Sequence, residues 1–435
     1  MDARMTALSA LIACRRQGAW SDGILKEYMA RDRLDRRDCA LAARLTYGVL
    51  QNRMLLDFYL AQLVQSGLSK LEPAVLDILR LGAYQILFLE KVPDSAAVNE
   101  AVEQTGKLAN RRAAGLVNAV LRNLSRRKAE LPEPDSLSVR YSHPAELVEL
   151  LRENVGDALL EPLLRADNEA VPTVFQLNPL MGSPEETVSE LEACEIRLEM
   201  HPWLSGCLYA FGTGNLEKLD AFREGRIYVQ DPAARLAAMA AGVKPGMAVL
   251  DACAAPGGKS FAAAMQMENR GSIVSCDLHD HKTALIEKGA ARLGINILRA
   301  MQADATVFRP EWEGAFDTVI ADVPCSGLGV IRKKPDIRYK DVRQLAGLPQ
   351  VQSAIIENVS RYVRPGGVLL YSTCTVLKRE NEQIVQAFLE KHPDFLPESF
   401  PVPEGLELPN AGMATLLPCL HGTDGFFIAK LRRAT

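Results

Sequence analysis

Apolar residues in the first third of the chain recur at helical spacing. Leu76, Leu79, Tyr84, Leu87 and Phe88 share one stripe, and Leu116, Val117, Val120, Leu121 and Leu124 share another. No stretch before Lys128 alternates with the period of two that a half-buried strand requires, so residues 1–130 are expected to form an all-α domain. The opening segment, MDARMTALSALIACRRQGAW, reads as an amphipathic helix. It lacks the basic start, apolar core and small-residue cleavage site of a secretory signal in that order. Leu131-Pro-Glu-Pro-Asp-Ser, with two prolines and polar filling, is the expected linker.

The pattern then changes twice. From 140 to 231, short units of both kinds alternate: strand Thr173–Leu177, helix Glu185–Ala193, strand Cys207–Phe211, helix Asn215–Phe222 and strand Arg226–Gln230. This is a small α+β subdomain of open topology. From 232 to 435, apolar runs end at Asp251, Asp277, Asp304, Asp322 and Thr373. Helical stretches such as Lys282–Leu293 and Leu345–Val363 separate them, the second expected to stop at Arg364-Pro-Gly-Gly, and Gly425–Leu431 reads as a last strand. Strands alternating with helices imply a doubly wound α/β domain with a mostly parallel sheet. The whole is a multidomain chain.

Composition narrows the class. With 48% hydrophobic and 24% charged residues over 435 positions, the chain is globular. No apolar run nears the roughly 18 residues that suggest a membrane span. Nine cysteines, an odd number, are scattered without a C-x-x-C pair. That argues against a disulfide framework or a thiolate zinc site, so no metal is expected and a reducing, cytoplasmic setting is. Cys14, Cys39, Cys194, Cys207, Cys253, Cys276 and Cys419 are expected to be small buried hydrophobes. The net charge of −4 hides an asymmetry: residues 1–130 hold 20 Lys/Arg against 14 Asp/Glu, and residues 131–435 hold 30 against 40. A basic N-terminal module on an acidic body is compatible with nucleic-acid binding, and equally with a solvated helix surface.

The remaining two cysteines carry the chemistry. Cys325 in Asp322-Val-Pro-Cys and Cys374 in Ser372-Thr-Cys each follow an apolar strand, at the sheet edge where doubly wound folds bind ligands. Upstream, Cys253, Ala254, Ala255, Pro256, Gly257, Gly258 and Lys259 form a small-residue turn between a strand and a helix. Its glycines admit close backbone approach, and its free N–H groups favour electron-rich ligands. Asp277, ending the next strand, is placed to accept from both hydroxyls of a ribose, and Asp304 to meet an adenine amino group. Any one of these aspartates alone would be read as a helix cap; four on successive strands suggest a nucleoside-containing cofactor. Arg332, Lys333 and Lys334 follow Cys325 and suit a phosphate backbone, as do Arg111 and Arg112 on the last N-terminal helix. Two other readings stay open. One is a P-loop-like NTPase, although Cys253 replaces the first glycine and Pro256 removes an N–H donor. The other is a noncatalytic RNA-binding or antitermination-type factor.

On these motifs the chain resembles RNA cytosine-C5 methyltransferases that use S-adenosylmethionine. Cys253–Lys259, Asp322–Cys325 and Ser372–Cys374 match their signatures, and Tyr141-Ser-His-Pro144 matches the domain junction. The helical N-terminus, with Arg111-Arg-Ala-Ala-Gly-Leu-Val-Asn-Ala-Val-Leu-Arg122, resembles the antitermination-factor NusB domain. The combination is similar to bacterial 16S rRNA methyltransferases over essentially the full length. The resemblance implies a Rossmann-like class I methyltransferase domain and S-adenosyl-L-methionine held by residues 253–259, Asp277, Asp304 and Asp322. It implies Cys374 as nucleophile towards carbon 6, Cys325 as an aid to product release, and Asp322 with Lys259 beside the base. The implied target is a loop cytosine, cytosine 967, of naked or partly assembled 16S rRNA. A monomer is the expected state, with no membrane association.

Overall fold

The computed structural model describes residues 2–17 and 20–435. Met1, Gly18 and Ala19 of the opening segment lie outside the described residues; the rest of it contains the helix Ala3–Gln17. The chain divides into two compact units.

The first unit comprises residues 1–168 and the segment Lys333–Lys340. Among the described residues it is helical throughout, as the 3.6-residue spacing demands. Asp35 caps the helix Arg36–Gln51 by accepting from the Asp38 N–H, and Asn110 caps Arg111–Arg127 through the Ala113 N–H at 3.0 Å. Leu79, Leu121 and Leu124 are wholly buried in its core, so the stripes seen in the sequence face one another. Gly48 allows a close crossing: a Cβ there would sit 2.0 Å from the Tyr84 ring. Helices Leu137–Arg140, Ala145–Val155 and Asp157–Ala166 belong to this same compact unit, which extends past the linker at residue 131 to Asn168. Ser142 ties them in by accepting from the Leu55 N–H at 3.0 Å.

The second unit, residues 169–332 and 341–435, holds two sheets. The smaller comprises β1 (Thr173–Leu177), β2 (Arg197–Met200), β3 (Cys207–Phe211) and β4 (Ile227–Val229), antiparallel in the order β2-β3-β1-β4. The sequence reading overlooked β2, whose residues are mostly exposed and carry no buried alternation. The helix expected over Asn215–Phe222 is a 3₁₀ turn, Leu216–Lys218, followed by a short helix, Asp220–Arg223.

The larger sheet is built from β5 (Ala248–Asp251), β6 (Ser272–Asp277), β7 (Leu298–Gln302), β8 (Phe316–Asp322), β9 (Val363–Thr373), β10 (Phe395–Pro397), β11 (Met413–Leu416) and β12 (Phe426–Arg433). The order is β10-β12-β9-β8-β5-β6-β7, with β11 also on β12; β5 to β9 are parallel and β10 to β12 antiparallel. Both faces are covered. Val249, Ile320 and Leu370 enter one core and Leu250, Val319 and Leu369 the other, which is why the central strands read as unbroken apolar runs. Arg364-Pro-Gly-Gly does not end a helix. The helix stops at Ser360, and these residues form a bulge inside β9, where the register jumps from Phe316↔Val363 to Thr318↔Val368. The strand order reverses between β5 and β8, a topological switch point of the kind at which doubly wound sheets bind ligands beyond the carboxyl ends of their strands.

Candidate active site

Two adjacent parallel strands deliver the thiols. Asp322 pairs in register with Ser372, and each strand then turns out into a loop. Cys325 Sγ and Cys374 Sγ end 3.2 Å apart. Asp322 is held from both sides: Lys259 Nζ donates to Oδ2 at 2.6 Å and Ser372 Oγ donates to Oδ1 at 2.8 Å. Lys259 opens the helix Gly258–Gln266, yet it is buried rather than solvated, with Nζ 4.9 Å from the centre of the Phe426 ring.

This arrangement differentiates two chemically identical groups. The hydrogen bond between the two thiols, with help from the Lys259 ammonium, holds the Cys374 thiol below its ordinary value, against burial and the Asp322 charge. Cys325 is pushed well above that value, first by the same hydrogen bond and then by burial. Cys374 is therefore the more acidic thiol of the pair.

On the other side of the switch point, Gly257 adopts φ 107° in the turn, a conformation that favours glycine. A Cβ at Gly258 would press to 3.1 Å on Gln230 Nε2. Asp251, wholly buried at the tip of β5, accepts from Ser260 Oγ at 2.7 Å, while its Oδ1 has no partner. Burial raises its carboxyl to about 6. Asp277 ends β6 and accepts from the His279 N–H. Asp304 lies two residues past the end of β7, and its Oδ1 accepts from the N–H and hydroxyl of Thr306 in a local turn.

The structure thus brings together Cys374, Cys325, Asp322 and Lys259, and sets Gly257, Gly258 and Asp277 at neighbouring strand ends. Others are corrected. Arg332 is ion-paired with Asp424 at 3.0 Å and Asp231 at 3.4 Å and donates to the Gly422 carbonyl, so its guanidinium is committed within the fold. Arg338, further along the same basic stretch, is fully buried. Lys334 is exposed and Lys333 half-buried, and Arg111 and Arg112 are exposed. The seven other cysteines are not uniformly interior: Cys207 and Cys276 are buried, Cys194 is exposed and the rest are intermediate. Ser372 was read only as part of the Ser372–Cys374 motif, without a role of its own, and Phe426 went unnoticed, because an isolated phenylalanine carries no spacing signal.

A doubly wound sheet with a glycine turn after its central strand and paired thiols at neighbouring tips defines a Rossmann-like methyltransferase domain. Residues 238–432 match the family model described as 16S rRNA methyltransferase RsmB/F, and residues 1–126 match the NusB family. The probable ribosomal RNA small subunit methyltransferase B of Bacillus subtilis (strain 168) is 35% identical, covering 99% of this chain and 98% of that protein. Its counterpart from Vibrio cholerae serotype O1 is 31% identical over 93% and 92%. The crystal structure of PH0851 superposes with a TM-score of 0.81 at 26% identity, over 98% of each chain. The chain belongs to the RsmB/F family of rRNA methyltransferases. Among the described residues, no helix is long and apolar enough to cross a membrane.

Proposed function

We propose that this chain methylates carbon 5 of a cytosine in 16S rRNA, with S-adenosyl-L-methionine as donor and a covalent bond from Cys374 to carbon 6. The observation that carries the reading is the thiol pair, 3.2 Å apart at the tips of adjacent strands, with Cys374 the more acidic of the two. Carbon 5 of cytosine is too poor a nucleophile to take a methyl group directly. When Sγ of Cys374 bonds to carbon 6, the C5=C6 electron pair moves to carbon 5, which can then attack an electrophilic methyl. Asp322, fixed by Lys259 and Ser372, faces the N3/N4 edge of the base and favours its protonated form, which makes carbon 6 more electrophilic. Once carbon 5 carries the methyl group, a base takes its proton, the C5=C6 bond re-forms and the Sγ–C6 bond breaks. The pair returns to Cys374, and the Cys325 thiol donates its hydrogen bond to the departing thiolate.

S-adenosylmethionine supplies, when bound, a methyl group on a sulfonium centre. The residues present suit it. Residues Cys253–Gly258 offer a turn without bulky side chains, Asp277 suits the ribose, and the unpartnered Asp251 Oδ1 is a buried acceptor beside them. Asp304 keeps one carboxylate oxygen outside its local turn bonds for the adenine. For the RNA, Arg111 and Arg112 support a phosphate contact, because two cations in the first turn of a helix oppose its dipole and gain nothing there structurally. Lys334, with Lys333, is assigned to the same role. The target base must leave its stack to reach the thiols, so an unpaired loop nucleotide, cytosine 967 in this reading, is the substrate. The chain acts as a cytoplasmic monomer without a metal.

Incubation with methyl-labelled S-adenosylmethionine and small-subunit rRNA, followed by nucleoside mass spectrometry, is expected to yield 5-methylcytosine. Methylation at another atom, or an unimpaired Cys374→Ala variant, would overturn the reading.

A further inference from the structure

The two thiols meet although their strands do not by themselves aim them at each other. Their loops leave adjacent strands and are 49 residues apart in sequence; past Asp322↔Ser372 the Val323 N–H donates to the Ser372 carbonyl at 3.1 Å and the Gly329 N–H to the Cys374 carbonyl at 3.0 Å, bonds that fix the backbones but not the residues on both sides of each thiol. The residues flanking each thiol are nevertheless held, and they are held by one short piece of chain. Glu380 Oε2 accepts from the Ser326 N–H at 2.8 Å and from Gln352 Nε2 at 2.9 Å. The same Gln352 nitrogen donates to the Pro324 carbonyl at 3.0 Å. Both neighbours of Cys325 are thereby fixed. Asn381 does the same for Cys374: its Oδ1 accepts from Thr373 Oγ1 at 2.6 Å, and its Nδ2 donates to the Thr375 carbonyl at 3.0 Å. A hydrogen bond of 2.7 Å between the Ser326 and Thr375 hydroxyls closes the frame, and Tyr371 Oη anchors it by donating to the Glu380 carbonyl at 2.6 Å.

Glu380 is an expensive way to build a loop. It is wholly buried, no cation pairs with it among the described residues, and its Oε1 has no partner. A carboxylate removed from water and met only by neutral donors weakens a fold rather than supporting it. Its presence fits a demand on geometry, since an error of about 1 Å at a reacting centre costs on the order of 10²-fold in rate.

We infer that Glu380 and Asn381 are positioning residues that serve different thiols, Glu380 chiefly the release step through the Cys325 loop and Asn381 chiefly the addition step at Cys374. The inference rests on the covalent mechanism proposed above. It demands opposite effects from adjacent residues, which general loss of structure would not produce.

The test compares the full chain with Glu380→Ala, Glu380→Gln, Asn381→Ala and Asn381→Asp, using labelled S-adenosylmethionine and 16S rRNA. Turnover and the fraction of protein in a denaturant-stable RNA adduct are measured. Glu380→Ala is expected to lower turnover by about 10²-fold while raising the adduct fraction several-fold. Glu380→Gln keeps an oxygen acceptor and should fall between it and the parent; it decides the matter if the alanine variant does not fold. Asn381→Ala should lower turnover and adduct together, and Asn381→Asp, which keeps the acceptor for Thr373 but not the donor to Thr375, should do so less. Cys325→Ala and Cys374→Ala are the controls. If Cys325→Ala accumulates adduct and Cys374→Ala forms none, but the Glu380 and Asn381 variants shift the adduct the same way or not at all, the inference fails alone. If neither control behaves so, the covalent reading fails and this inference with it.

Discussion

The two units each bury a cation, and they do so in opposite ways. In the helical unit, Arg338 lies fully buried, with Nη1 donating to the Gln51 carbonyl at 2.9 Å and to Asn168 Oδ1 at 2.8 Å, and Nη2 to the Asp167 carbonyl at 3.2 Å. These acceptors are neutral and spread around the planar fork, and burial depresses its basicity. In the methyltransferase unit, Lys259 meets one carboxylate and the face of one ring. A guanidinium bonded on several sides holds chain segments together. An ammonium with a single strong partner keeps hydrogens to offer and polarises what lies beside it. Burial alone does not separate a structural charge from a functional one; the number and charge of its partners do.

That contrast can be broken or sharpened by experiment. The largest effect expected is at the group Lys259 serves: Cys374→Ala should reduce methylation by on the order of 10⁴-fold or more, the scale of losing a nucleophile, measured by single-turnover label transfer. Lys259→Met should follow, with a loss of about 10²-fold and a second signature. The Cys374 thiolate is the reactive form, so its alkylation rate falls as pH drops through its lowered value. Removing the ammonium that helps lower it should move that acid limb to higher pH. An unmoved limb would reduce Lys259 to a structural cation like Arg338. Conversely, Arg338→Met should leave the alkylation profile of Cys374 where it is and destabilise the fold by about 3 kcal/mol, read by denaturant unfolding, because several buried acceptors lose their donor. A shifted profile with unchanged stability would erase the contrast. The smallest effect is expected from Ser372→Ala, about 1 kcal/mol in the activation barrier, since Asp322 would keep Lys259.

How much of this was legible depended on the kind of signal. The helical stripes, the apolar strands and the motifs around Cys253, Asp322 and Cys374 are local, and local regularity survives in one dimension. β2 was missed because an exposed edge has no buried alternation. Arg364-Pro-Gly-Gly was misread because proline and glycine serve a bulge as readily as a helix end. Arg332 and Lys334 looked alike as members of one basic run, and they part only when Asp231 and Asp424 are folded against the first.

The amino-acid order by itself determined most of the helices and the central strands, that a mostly parallel sheet would form, and that two thiols would stand at its edge. These follow from periodicity, turn chemistry and chain-local sterics. Which thiol is the more acidic, which cations are locked into the fold, and how Glu380 and Asn381 come to hold both cysteine loops were decided only in three dimensions. Electrostatics and hydrogen bonds act over a few ångströms of space, and the groups that matter here are brought that close from positions tens to hundreds of residues apart.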